Sequence, residues 1–161
     1  MQVREKILKD YDKIKIVETE FKNNKVRGWY ERNKTIPNGL IILNKNEDYY
    51  RQNGILAEEI GHHETSFGKI TDVYTKEYNV KSARQELRAR RYGYKLMISP
   101  HKLINCYKKG IWGDLYEMCL HLGIDREYFY KVIEDYKSRF GLYIVIDGYR
   151  IEFEPLNIYK I

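Results

Sequence analysis

The sequence predicts an α+β protein, with helices and small sheets occupying separate stretches of the chain. Three observations carry that prediction. Between residues 14 and 44, three short runs rich in β-branched and aromatic residues alternate with turn-forming residues. On either side, apolar residues recur at helical spacing among charges, most clearly in 48–65 and 80–98. Near the C-terminus, a strand pattern returns around Asp147-Gly148, a strong hairpin dipeptide.

In chain order, Val3, Ile7 and Leu8 give residues 1–13 one apolar stripe, as in a short amphipathic helix. The runs IKIVETEF (14–21), VRGWYER (26–32) and GLIILN (39–44) follow, separated by Asn23-Asn24, Asn33-Lys34 and Pro37–Gly39. They read as a small, mostly antiparallel sheet, and GLIILN as an edge to which another chain could add as a strand. The helix from Asp48 to Thr65 ends at Ser66–Gly68, and the helix over 80–98 at Ser99–Pro100, since proline restricts the residue before it. Leu115, Met118, Cys119 and Leu122 make another stripe, broken by Gly123-Ile124-Asp125. Asp125 then caps a helix carrying Phe129, Val132, Ile133 and Tyr136, a pairing that resembles either a helix-turn-helix or a plain helical hairpin. LYIVIDGYRIEF (142–153) closes the chain as a hairpin. A soft boundary near residue 100 divides a domain over 1–100 from a helical and β-hairpin subdomain over 101–161.

Composition narrows the function classes. The 161 residues suit one compact domain with a small appendage, and 43% hydrophobic with 32% charged residues argues against disorder, fibres and coiled-coil rods. No apolar run approaches the ~18 residues of a membrane helix. MQVREKILKDYDK lacks the apolar core of a secretory signal, so the expectation is a cytoplasmic protein without a membrane partner. Cys106 and Cys119 form no CxxC pair. The net charge of +6 is unevenly placed: nine Lys/Arg against Glu86 alone between Lys81 and Lys109 give +8, leaving −2 elsewhere. Such a stretch could hold nucleic acid or an acidic protein, or be a solvated helix face.

The chemistry concentrates in Leu56-Ala57-Glu58-Glu59-Ile60-Gly61-His62-His63. Residues four apart share a helix face, so Glu58 and His62 can meet one ion, with Glu59 about 100° further round. That is the logic of H-E-x-x-H with glutamate as the first ligand, the middle glutamate acting as base. Glu59 and His63 offer a second register, which puts Ile60 where the base belongs. On the next helix Glu86 is the only acid, and Ala89 and Gly93 at i+3 and i+7 would let that helix pack closely on another and bring Glu86 to a facing ion. Two carboxylates, one imidazole and a position for water would make an open catalytic site.

The run LAEEIGHHETSFG, followed by KSARQELRARRYGYKLMISPHKLI and CLHLGIDREYFYKVIEDYKSRFG, resembles the phage-type branch of the ImmA/IrrE family of metallopeptidases. The resemblance covers nearly the whole chain. It implies a zincin-like fold, with a small sheet, an active-site helix and a second helix supplying the third ligand. It also implies Glu59 as general base and His62 and Glu86 as metal ligands, while Glu58 stands where the fuller motif has its first histidine. Zinc is the expected metal, and the added carboxylate makes Mn²⁺ or Fe²⁺ plausible alternatives.

The family's best-understood members relieve repression of mobile elements by cutting a helix-turn-helix repressor, the partner this resemblance implies. Two other readings stay open. One is a DNA-binding module using the +8 stretch, the helical pair at 112–137 and a wing-like hairpin at 143–153, although Glu127, Glu134 and Asp135 offset the bases of its second helix. The other is a metal-free relic that grasps the repressor without cutting it.

Overall fold

A computed structural model describes residues 1–23, 25–66 and 80–161. The N-terminal helix α1 (Val3–Asp10) leads into strands β1 (Lys15–Thr19), β2 (Gly28–Glu31) and β3 (Leu40–Asn44). These form one sheet in the order β1-β3-β2. β3 runs antiparallel to β2, with Trp29 opposite Ile42, but parallel to β1, with Ile16 opposite Ile41. The sheet is therefore mixed, one of the two forms expected for it, with one pairing of each kind instead of mostly antiparallel pairing. GLIILN is its centre, not an edge. The reason lies in composition: Ile41 and Leu43 are buried, whereas β1 is largely exposed, and the central place suits the strand best able to lose water from its surface. The edges are β1 and β2.

Helix α2 (Tyr49–Thr65) packs against β2 and β3. Asp48 caps it, its side chain accepting from the Arg51 N–H. Ser66 follows its last turn; the expected stop at Gly68 lies outside the described residues. Arg4 of α1 ties the start of the chain to α2 by donating to Asn53 Oδ1 at 2.7 Å and Gln52 Oε1 at 3.0 Å. Helix α3 (Val80–Met97) meets α2 at small residues, as the sequence predicted for Ala89 and Gly93. A Cβ placed on Gly61 would lie 2.0 Å from the Ala89 carbonyl oxygen, and one on Gly93 would lie 3.0 Å from that of Ala57. The two backbones touch where side chains would otherwise hold them apart.

The chain divides into two units, Met1–Leu96 and Met97–Ile161. In the second, α4 (Pro100–Lys108) begins where the sequence signalled only a stop. Ser99 caps it by accepting from the Lys102 N–H, and Pro100 occupies the first turn, where a missing N–H costs nothing. Helices α5 (Leu115–Leu122) and α6 (Arg126–Phe140) pack together across Gly123, whose left-handed φ of 75° ends α5. The caps Asp114 and Asp125 accept from the N–H groups of Glu117 and Tyr128. Strands β4 (Tyr143–Ile146), β5 (Tyr149–Phe153) and β6 (Leu156–Lys160) form an antiparallel meander. Asp147 and Gly148 both have positive φ, as a two-residue hairpin requires. β6 was not anticipated from the sequence; Pro155 sits in the turn before the strand, where it removes no ladder bond. Phe129, Val132, Tyr136, Ile151, Phe153 and Ile158 form the core of this unit, and the Tyr136 hydroxyl donates to the Ile98 carbonyl. Among the described residues, no helix is long and apolar enough to cross a membrane.

Candidate metal centre

The contact between α2 and α3 brings Glu58, His62 and Glu86 together. One ligand atom from each lies within 4.8 Å of the other two. Glu58 and His62 come from successive turns of α2, as their spacing demands, and Glu86 comes from the face of α3 that carries Ala89 and Gly93. The His62 side chain is only 1% exposed, and its Nε2 lies 3.1 Å from Glu86 Oε2. Its Nδ1 faces Ser66 Oγ at 3.4 Å, a contact one turn further along that orients the ring.

Electrostatics sets the two carboxylates apart. Glu58 is pushed well above the usual carboxylate range, first by burial, then by its hydrogen bond to Glu86 and the charges of Glu86 and Glu59, against the opposing pull of Arg90. Burial pushes Glu86 up as well, but hydrogen bonds from His62 and Glu58, with the charge of Arg90, more than reverse that and hold it down to about 2. The two shifts run in opposite directions because two adjacent carboxylates cannot both ionise cheaply in a half-buried site. Arg90 approaches both, its Nε 3.2 Å from Glu86 Oε1 and 3.6 Å from Glu58 Oε1.

Glu59 is not part of the cluster. It is buried, and its carboxylate leans on β2: a Cβ on Gly28 would lie 3.0 Å from Glu59 Oε1 and 2.6 Å from Ile55 Cγ2. The glycine in VRGWYER thus marks a close approach of strand to helix. His63 turns away to β2, where its Nδ1 and the Tyr30 hydroxyl share a 2.7 Å hydrogen bond. Among the described residues, the first register of the motif converges and the second does not.

Arg90, four residues after Glu86, is one of the arginines that the sequence offered to neutralise that acid. Sequence reasoning gave no part in the site to Gly28, Ser66 or Tyr30, although Gly28 visibly interrupts a strand. Ser66 and Tyr30 carried none, because only the fold brings a generic hydroxyl to an imidazole.

A divalent cation suits this donor set. Two crowded carboxylates and an imidazole offer oxygen and nitrogen ligands, and a cation would relieve the repulsion that raises the pKa of Glu58. The sequence profile of the peptidase M78 family, an IrrE N-terminal-like domain, matches residues 9–151. The chain belongs to that family. No curated protein and no solved structure matches it significantly. Membership of the M78 family suggests a metallopeptidase-type function, and the α2–α3 cluster offers three side chains that could hold a metal ion, in keeping with it.

Proposed function

We propose that the chain is a metal-dependent endopeptidase of a phage or other mobile element, acting in the host cytoplasm to cleave a helix-turn-helix repressor and so relieve repression. The observation that carries this reading is the convergence of Glu58, His62 and Glu86, with Glu59 one residue further round the same helix. Those three side chains would hold the ion, with zinc first and Mn²⁺ or Fe²⁺ as alternatives. A bound divalent cation would supply Lewis acidity, polarising the scissile carbonyl and making water acidic enough to attack near neutral pH. Glu59, held against Gly28, takes the proton that water gives up and can pass it to the leaving amine. Ser66 keeps the His62 ring oriented with Nε2 toward the cluster. Since β3 is paired on both sides, a substrate backbone would add instead to the outer edge of β2, the strand that carries Gly28.

The metal-free reading has one specific support. Arg90 places a guanidinium against both carboxylates and so offsets their charge without an ion. Two measurements separate the readings. Elemental analysis of protein purified without tag or chelator is expected to find one metal per chain; none would favour the repressor-grasping relic. In the zinc-loaded protein, Glu59→Gln should retain the metal and lower repressor cleavage about 10²–10⁴-fold, the usual share of a general base. Cleavage at the wild-type rate would remove Glu59 from that role.

A further inference from the structure

The basic character of α3 lies on the side away from the metal centre. At about 100° per residue, Lys81, Arg84, Arg88 and Lys95 fall within an arc of roughly 60° centred almost opposite Glu86. All four are exposed. Arg91, half-buried, shares that side of the helix, and no acidic residue of α3 does. The helix thus sorts its charge: Glu86 faces α2 with Arg90 beside it, and the remaining bases form a ridge. Four charges on this ridge compare with a net +6 for the whole chain.

Helix α6 shows what an ordinary solvated face looks like in the same protein. There Lys131 pairs with Glu127 at 3.2 Å, Arg139 with Asp135 at 2.8 Å and Lys137 with Glu154 at 2.5 Å. Among the described residues, no ion pair of this kind engages Lys81, Arg84, Arg88 or Lys95.

We propose that this ridge binds the phosphate backbone of duplex DNA, without reading sequence. Its composition fits that partner better than an acidic protein. Protein interfaces rest on a desolvated aromatic or apolar centre, whereas beside the ridge the described residues of α3 offer the exposed Leu87 on one side and on the other Tyr92, half-buried and with its hydroxyl already bonded to Tyr11. Its dimensions fit as well. From Lys81 to Lys95 the helix rises about 21 Å, the axial length of roughly six phosphates on one strand. The ridge and the metal centre lie on opposite faces of α3, so DNA on one leaves the other uncovered. The inference therefore stands whether or not the chain cleaves a repressor.

The test is fluorescence anisotropy of the full chain with a labelled duplex of about 25 base pairs and arbitrary sequence, in chelator, at 50 to 200 mM salt. Four phosphate contacts predict a log–log salt slope near −3.6, or about 100-fold weaker binding across that range. Replacing all four residues with Gln should flatten the slope and weaken binding at low salt at least 100-fold, with the circular dichroism spectrum unchanged. Should that variant not fold, Arg88→Gln alone should reduce the slope by about one. Lys131→Gln on α6 should change neither. The proposal fails if the duplex does not bind at 50 mM salt, if the Gln variants keep the wild-type slope, or if polyglutamate binds where DNA does not.

Discussion

The two units of this protein bury different things. Among the described residues, every buried polar or charged side chain lies between Asn44 and Gln85, in the first unit: Asn44, Gln52, Asn53, Glu59, His62, Ser66, Ser82 and Gln85. The buried side chains of Met97–Ile161 are aliphatic, aromatic or sulfur-bearing, from Leu103 and Cys106 to Phe129 and Ile158. Burying a polar group costs stability unless every donor and acceptor finds a partner. The second unit buries no whole polar side chain among the described residues and so meets little of that cost. The first accepts it in two places: at the start of α2, where Gln52 and Asn53 take hydrogen bonds from Arg4, and at the α2–α3 contact, where His62 lies beside Glu58 and Glu86.

The contrast can be broken or sharpened by experiment, and the largest effect should come from the helix crossing. Gly61→Ala puts a methyl 2.0 Å from the Ala89 carbonyl oxygen, which no rotamer change can relieve. Overpacking usually costs about 1–3 kcal/mol, but a methyl driven into backbone has no side chain to displace, so the loss here should reach about 5 kcal/mol or more. The helices must part, so zinc affinity should fall at least tenfold along with the melting temperature. A variant with wild-type affinity would show that the cluster does not depend on that crossing.

Next in size is Phe129→Ala, a change to the apolar core of the second unit, expected to cost about 3–5 kcal/mol. Chemical denaturation would measure the loss, and zinc titration of the folded variant should give the wild-type affinity. A drop in affinity would mean that the units are not specialised as their cores imply.

The smallest effect is a pH dependence confined to the first unit. Glu58 holds its proton above the ordinary carboxylate range, and an ion must displace it. Zinc affinity should therefore rise with pH, by at most about tenfold per unit, until the raised pKa of Glu58 is passed, and level off above it. Calorimetry in buffers of different ionisation enthalpy should detect the released proton. Glu58→Gln should abolish that release; release undiminished in this variant would place the proton elsewhere.

Much of this was legible in the chain because the signals are local. Helical spacing, Asp48 and Asp125 as caps, Asp147-Gly148 as a turn and the i, i+4 relation of Glu58 to His62 each depend on neighbours a few residues away. Even the approach of Glu86 could be read, since Ala89 and Gly93 mark the helix face that admits another backbone. What stayed hidden was local too, but ambiguous: Ser99-Pro100 ends one helix and starts the next, and the short run after Pro155 pairs as a strand only because β5 lies beside it.

The amino-acid sequence by itself determined which residues could serve: the glutamates and histidine of α2, the single acid of α3, and the small residues that let the two helices meet. Only the tertiary structure decided that Glu58 and not His63 joins the cluster, that Arg90 covers the carboxylates, and that GLIILN is the middle of its sheet. The physical reason is that helix periodicity constrains residues within one element, while strand order and the choice between adjacent side chains depend on which surfaces lose water together. His63 faces Tyr30 because β2 lies beneath it, and no pattern in α2 alone could place that strand there.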